Sequence, residues 1–184
     1  MAAEARACTL CNDLPLGPRP VLRVSTTARL LIVSQAPGTK VHASGLSFDD
    51  ASGDRLRVWL AMDRDTFYDT ARVAILPLGL CYPGRLPQGG DRPPAPRCAP
   101  LWHPRLLPLM PAVGLTLLVG GYAQNFVLGK GPMGARVERF RDYLPRYFPL
   151  PHPSWRTTGW ERRNPWFGTA LLPELRRMVA AMLA

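Results

Sequence analysis

Short apolar runs recur along this chain of 184 residues, and each is bounded by glycine, proline or polar residues. Four of these runs have the length and apolar content of buried strands. They are residues 29–34, 73–76, 115–119 and 147–150. Because the runs are largely continuous rather than alternating, they predict parallel strands that are covered on both faces.

Segments with apolar residues at helical spacing separate and follow the predicted strands. They are residues 54–62, 98–110, 122–128 and 169–183. Ser52 is the expected N-cap of the first segment, and Pro104 or Pro108 is expected to interrupt the second. Strands that alternate with helices predict an α/β fold, a three-layer αβα sandwich around a central, mostly parallel four-stranded sheet. The length favours a single domain over residues 1–184.

The chain carries an excess of positive charge, with 23 Lys and Arg against 13 Asp and Glu and a net charge of +10. Lysine occurs only at Lys40 and Lys130, so nearly all of this charge is arginine. Arginine binds phosphate through two parallel hydrogen bonds, so the balance favours a nucleic-acid partner. A GC-rich genome would explain arginine over lysine, but less easily the net excess. No run resembles a signal peptide or a membrane span, so we expect a cytoplasmic protein without a membrane partner.

Two polar loops follow predicted strands, residues 34–38 (SQAPG) after the first and residues 152–154 (HPS) after the last. Ligands of parallel sheets bind at the carboxyl ends of strands, so these loops form the candidate site. They resemble the two motifs of the uracil-DNA glycosylase superfamily, Gly-X-X-Pro after the first strand and His-Pro-Ser after the last. Residues 118–124 are similar to the superfamily's strand-to-helix turn, and residues 164–167 (NPWF) to a run in its bacterial members.

The resemblance implies an enzyme of base excision repair. Such an enzyme hydrolyses the N-glycosidic bond of a deaminated base that has flipped out of DNA, and uracil is the expected base. Phe48 is expected to stack on this base, and Ala36 and Gly38 of the first loop to contact it. His152 is expected to donate a hydrogen bond to a carbonyl oxygen of the base and to stabilise the departing anion. A core phenylalanine and a structural histidine are the alternative roles.

The first loop departs from the family pattern, because it has no Asp or Glu to activate water. Gln35 can orient a water molecule but cannot act as a carboxylate base. Residues 50–53 (DASG) are similar to an Asp-X-Ser-Gly stretch in a second branch of the superfamily. This likeness makes Asp50 the catalytic candidate, with Asp49 in reserve. The alternative is that these residues only cap the helix that follows.

Pro77 is a second departure, at a strand end where many relatives carry an asparagine that reads the imide edge of uracil. Its absence keeps hypoxanthine and xanthine open as alternative substrates. A non-catalytic binder of lesions or abasic sites is an alternative from another class. So is a covalent binder in which a histidine captures the sugar, although Lys40-Val41-His42 is only weakly similar to the basic loop of such relatives.

Four cysteines, Cys8, Cys11, Cys81 and Cys98, form one close C-x-x-C pair and one distant pair. Such spacing suits a tetrahedral metal or a cluster. Free buried cysteines are an alternative, and disulfides are not expected in a reducing cytosol. The arrangement resembles the iron–sulfur class of the superfamily. This likeness implies a structural [4Fe–4S] cluster, with zinc as the second choice, that fixes an arginine-rich loop near DNA.

Residues after the second motif are the expected DNA contacts. Trp155 or Arg156 suits a wedge that enters the minor groove and fills the gap left by the flipped base. Ser154, Arg162 and Arg163 suit phosphate contacts. The alternative is a loop that packs onto the protein through its tryptophans and leaves its arginines solvated. We expect a monomer that acts on the nucleoid of a bacterium.

Overall fold

The computed structural model describes residues 1–184 and contains one sheet of four strands. The strands are β1 (Leu30–Val33), β2 (Val73–Ile75), β3 (Leu115–Val119) and β4 (Tyr147–Leu150). Their order across the sheet is β2-β1-β3-β4, and every adjacent pair is parallel. Leu30 lies opposite Val73 on one side and Leu115 on the other, and Thr116 lies opposite Tyr147. The predicted strands and their parallel arrangement are confirmed.

Nine α-helices flank the sheet. They are α1 (Ala2–Arg6), α2 (Thr39–Ser44), α3 (Ala51–Leu60), α4 (Arg64–Tyr68), α5 (Cys98–Leu106), α6 (Gly121–Leu128), α7 (Met133–Glu138), α8 (Thr158–Arg163) and α9 (Leu172–Leu183). Short 3-10 turns occur at Leu107–Leu109, Phe140–Tyr143 and Trp155–Thr157, and a π turn, Phe167–Leu171, precedes α9. None of these helices has the length and apolar character needed to cross a membrane.

Two apolar layers, one on each face of the sheet, form the core. Successive side chains of a strand point to opposite faces. Leu30 and Ile32 of β1 therefore join the layer that contains residues of α3, α4, α7 and α9. Leu31 and Val33 join the layer that contains residues of α1, α5 and α6. All four side chains are buried, which explains the continuous apolar run and confirms the three-layer sandwich.

The start of α3 differs from the sequence prediction. The helix begins at Ala51, and its N-cap is Asp50, whose Oδ1 accepts a hydrogen bond from the Gly53 N–H at 2.8 Å. Ser52 lies inside the first turn, so its predicted role as the N-cap is wrong. The physical reason is that Asp50 has the extended backbone of a capping residue and a carboxylate that reaches the third residue beyond it.

The predicted interruption of the second helix lies after Pro104 rather than at it. α5 includes Pro104 and ends at Leu106, and a 3-10 turn that contains Pro108 follows directly. The last predicted helix is likewise composite, because its first residues form the π turn before α9.

The turn into α3 brings two backbone segments into close contact. A Cβ on Gly53 would lie only 1.8 Å from the carbonyl oxygen of Phe48, so no side chain fits at this position. Phe48 itself has a φ of 57°. This left-handed conformation costs a non-glycine residue on the order of 1–3 kcal/mol. The geometry of this turn therefore requires glycine at position 53, and the fold maintains it despite the backbone strain at Phe48.

Replacement of Gly53 by alanine should destabilise the protein by about 1–3 kcal/mol or more, because the backbone at Phe48 must move away. Urea denaturation gives the change in the free energy of unfolding. Gly168→Ala is the matched control, since nothing lies within 4 Å of its Cβ position and its backbone is helical. That control should change stability by less than about 1 kcal/mol. Equal stability of the two variants would contradict the close approach.

Candidate active site

A cavity opens at the carboxyl end of the sheet. Its enclosed volume is about 100 Å³, which is smaller than the roughly 300–1,000 Å³ usual for sites that take drug-sized ligands. Five of the six residues predicted for catalysis or base contact line it, all except Gln35: Ala36, Gly38, Phe48, Asp50 and His152. The parallel sheet thus brings together two loops that are far apart in the sequence.

His152 follows β4 and is fixed by its own turn. The His152 carbonyl accepts hydrogen bonds from the Ser154 N–H at 2.8 Å and from the Thr157 hydroxyl. Behind the ring, Gly120 has a φ of 86°, and a Cβ there would lie 3.4 Å from the His152 Cβ. Burial lowers the pKa of His152, and the negative charge of Asp50 opposes this shift only in part. The imidazole is therefore neutral at pH 7 and can donate to developing negative charge without carrying a full charge itself.

Asp50 uses its two carboxylate oxygens differently. Oδ1 accepts the capping hydrogen bond from Gly53, and Oδ2 lies 3.9 Å from the position that a Cβ on Gly38 would occupy. Capping and a place in the cavity are therefore compatible in one residue. Asp49, the reserve candidate, does not line the cavity. Its Oδ1 accepts a hydrogen bond from Arg64 at 3.0 Å, and this interaction lowers the pKa of Asp49.

Phe48 belongs both to the cavity wall and to the core. It is buried, and its ring meets that of Phe67 edge-on, with the centroids 6.1 Å apart. Ser47, next to it, also lines the cavity, and its buried hydroxyl has no hydrogen-bond partner within the protein. A buried hydroxyl without a partner is unfavourable unless water or a ligand binds it. Sequence reasoning missed Ser47, because a single serine beside an aromatic residue carries no signal.

Gln35 lies outside the cavity, in a polar groove that continues from its mouth. Its side-chain amide donates a hydrogen bond to the Arg92 carbonyl at 3.3 Å. This bond ties the first loop to the segment between the third and fourth cysteines. The side-chain carbonyl oxygen of Gln35 accepts no hydrogen bond within the protein, so it can accept one from a molecule in the groove.

The groove also contains three of the predicted DNA contacts, Ser154, Trp155 and Arg156. Trp155 is 76% exposed, and the Arg156 guanidinium lies over its ring, 5.3 Å from the centroid. An indole so exposed contributes little to folding, which favours a role in contact with a partner. Arg162 and Arg163 are exposed on α8 but do not line the groove.

Trp160 differs from Trp155, because it packs onto the protein. Its ring meets those of Trp166 and Phe167 edge-on, with both centroid distances 5.6 Å. The segment after the second motif therefore combines one exposed tryptophan with one that anchors it. The alternative role, packing onto the protein, therefore applies to Trp160, and the DNA contact of Trp155 stays a prediction.

Arg55 of α3 holds this segment against the body of the protein. Its guanidinium donates hydrogen bonds to the Ser154 carbonyl (3.1 Å), the Thr158 hydroxyl (2.9 Å) and the Glu161 carboxylate (2.6 Å). The Arg55 and Glu161 side chains are only 23% and 24% exposed, so the ion pair is partly shielded from water. Sequence reasoning missed Arg55, because its partners lie about a hundred residues further along the chain.

The four cysteines border a second, largely apolar cavity of about 20 Å³ on the α5 side of the sheet. All four thiols are free, and the Leu80 N–H donates to Cys98 Sγ at 3.3 Å. Burial raises the pKa of the Cys81 thiol to about 11. No group of three or more His, Cys, Asp or Glu side chains in the structure could hold a single metal ion.

Loss of the Arg55 guanidinium should loosen the segment that it holds. In Arg55→Ala, amide hydrogen exchange of residues 154–161 should accelerate, and an Arg55→Ala, Glu161→Gln cycle should give a coupling energy of about 0.5–3 kcal/mol. Arg177→Ala is the matched control, because it removes an exposed ion pair with Glu174 on α9. Unchanged exchange in Arg55→Ala would show that the segment is held by its aromatic contacts alone.

Comparison with known protein families matches residues 23–176 to the family described as the uracil DNA glycosylase superfamily. The match extends from just before β1 into α9 and includes both polar loops, the cavity and the groove. The family acts on deaminated bases in DNA, so the hydrolysis of an N-glycosidic bond is the activity that this fold carries. The chain belongs to the uracil DNA glycosylase superfamily.

Proposed function

We propose that this protein excises uracil from DNA by hydrolysis of the bond between the base and deoxyribose. The observation that carries the proposal is the convergence of Phe48, Asp50 and His152 on one cavity at the carboxyl end of the sheet. An aromatic wall can stack on a flipped-out base. A neutral imidazole and a carboxylate can stabilise the negative charge of the departing base and the positive charge of the sugar.

Breakage of the glycosidic bond transfers its electron pair to the base. His152 donates a hydrogen bond from its neutral imidazole to a carbonyl oxygen of the base, where the negative charge develops. Because burial lowers the pKa of His152, the base leaves as a stabilised anion rather than as a fully protonated molecule. Phe48 holds the ring plane of the base during this step.

The sugar that remains carries positive charge at C1′. Asp50 presents Oδ2 towards this charge while its Oδ1 stays bound to the Gly53 N–H, so the carboxylate cannot rotate away. Asp50 also orients the attacking water, and Gln35 can support this water from the groove side. The products are free base and an abasic site.

The groove beside the cavity is the proposed DNA contact. Trp155 or Arg156 fills the gap left by the flipped base, and Ser154, Arg162 and Arg163 bind phosphates. The net charge of +10 favours this polyanion partner. The proposal includes a monomer that acts on the chromosome in the cytoplasm of a bacterium.

A deaminated purine, hypoxanthine or xanthine, is the second candidate substrate. Pro77 lines the cavity and offers no side-chain amide to read the imide edge of uracil. The hydroxyl of Ser47 is the buried polar group left without a partner there, and one hydroxyl selects less strictly than an amide. A non-catalytic or covalent binder has less support, because Asp50 supplies a carboxylate and His42 does not line the cavity.

Single-turnover excision from duplexes with one central uracil, hypoxanthine or xanthine tests the proposed activity. Uracil should be released fastest, and His152→Ala should slow its release by about 10²–10³-fold, because a pre-organised donor to developing charge is lost. Binding of abasic DNA should remain within a few-fold of the wild type. Faster release of hypoxanthine or xanthine would make that purine the substrate in place of uracil. No release of any base would overturn the proposed activity.

A [4Fe–4S] cluster at the four cysteines is part of the proposal. Cys8, Cys11, Cys81 and Cys98 border one apolar cavity, and a backbone N–H already donates to one sulfur, as is common around such clusters. When bound, the cluster would fix both ends of the segment between Cys81 and Cys98. The chemistry of base excision needs no electron from it.

Protein purified without oxygen should contain iron and acid-labile sulfide, about four of each per chain. Cys11→Ser should lose most of both, whereas Thr9→Ala, inside the same C-x-x-C pair, should keep them. Elemental analysis with a sulfide assay measures these contents. One zinc ion per chain without sulfide would show that the four cysteines hold zinc rather than a [4Fe–4S] cluster.

A further inference from the structure

A hairpin between the third and fourth cysteines reaches the mouth of the active-site cavity. Residues 84–92 fold back on themselves, and the Arg92 N–H donates to the Gly84 carbonyl at 2.8 Å. The turn includes Gly90 with a φ of 85°, a conformation that favours glycine. This path places Asp91 where the cavity opens into the groove, so that it lines both.

Asp91 and Asp50 border the same space. Oδ2 of Asp91 lies 3.6 Å, and Oδ2 of Asp50 lies 3.9 Å, from the position that a Cβ on Gly38 would occupy. These distances place the two Oδ2 atoms no more than 7.5 Å apart, with the glycine between them carrying no side chain. They are the only acidic residues that line the cavity. The first loop has no carboxylate of its own to offer there.

The two carboxylates differ in their contacts. Oδ1 of Asp50 accepts the capping hydrogen bond from the Gly53 N–H. Asp91 takes part in none of the ion pairs of the protein. The Asp91 carboxylate is therefore free to accept a proton from a water molecule in the cavity.

The charges around Asp91 are consistent with a role as a base. Partial burial raises the pKa of Asp91, and the negative charge of Asp50 adds to the rise. Arg85 of the same hairpin and Arg156 of the segment after β4 lower it without cancelling the rise. His152, the remaining titratable group at the mouth, is neutral at pH 7. Asp91 thus takes up a proton more readily than an ordinary aspartate.

We propose that Asp91 is a second catalytic carboxylate, which accepts the proton of the attacking water on the side of the cavity opposite Asp50. This inference rests on the proposed excision reaction and divides its work between two residues. Asp50 stabilises the charge of the sugar and orients the water. Asp91 makes that water a nucleophile.

The step balances in atoms and charge. The C1′–N bond breaks with its electron pair moving to the base, and the water oxygen gives an electron pair to C1′. One water proton passes to the Asp91 carboxylate, which leaves a neutral hydroxyl on the sugar. The departing anion takes a proton from solvent, and Asp91 returns its own proton to solvent, so the enzyme ends in its starting state.

A purely structural role accounts poorly for Asp91. The hairpin closes through backbone hydrogen bonds, and the Asp91 side chain, which is only partly buried, takes part in no ion pair. A carboxylate at the mouth of the proposed DNA groove repels phosphate, so its charge weakens DNA binding and calls for another role.

The test is the pH dependence of single-turnover uracil excision by Asp91→Asn. Loss of a general base should slow excision by about 10²–10⁴-fold at neutral pH. Wild-type excision should fall as acid protonates Asp91, at a higher pH than for an ordinary aspartate, and the variant should lack this acid limb. Asp91→Glu should retain part of the rate and shift the limb. Affinity for abasic DNA should stay equal or increase, because a negative charge is removed.

Asp65→Asn is the matched control, since Asp65 is exposed on α4 and remote from the cavity. Asp50→Asn should slow excision but keep the acid limb. The wild type and Asp65→Asn should both excise uracil. If Asp91→Asn matches them in rate and pH profile, the role of Asp91 is overturned and the excision activity stands. If the wild type releases no base, both proposals are overturned together.

Discussion

Asp50 is bound at one carboxylate oxygen and free at the other, and the geometry of the site depends on this division. Oδ1 caps α3 through the Gly53 N–H, so the position of the free Oδ2 is set by the helix itself. The cap requires Gly53 to approach the Phe48 carbonyl more closely than any side chain would permit. The same turn therefore places the aromatic wall, the carboxylate and the first residue of α3. Arg55, one helical turn further on, then holds the segment after β4.

The parallel sheet explains why distant segments meet at this turn. β1 and β3 lie side by side with β4 at one edge, and all their carboxyl ends point the same way. The loop after β1 and the His152 turn after β4 therefore open onto one cavity. Helices on both faces bury the strands and leave this end of the sheet as the open one. The candidate functional residues lie in the loops that follow the strands, at the end of the sheet that no helix covers.

The segment between Cys81 and Cys98 begins and ends at the cysteine cavity and reaches the active site at its middle. Cys81 and Cys98 frame the hairpin that carries Asp91, and Gln35 binds the Arg92 carbonyl at its base. A group that fixes the cysteines would thereby fix the position of a carboxylate at the cavity mouth. The proposed cluster would thus affect the position of Asp91 without any part in electron transfer.

The sequence by itself determined the strands, the sandwich and the two loops that meet, because continuous apolar runs and short motifs are local signals. It named Asp50 and His152 by likeness to a family, yet it placed the helix cap at Ser52, since capping depends on backbone angles that residue types only suggest. Tertiary structure alone decided that Asp50 both caps and faces the cavity, that Trp160 packs while Trp155 is exposed, and that Arg55 and Asp91 belong to the site. These residues act through partners distant in the chain, and only the folded backbone sets which distant groups become neighbours.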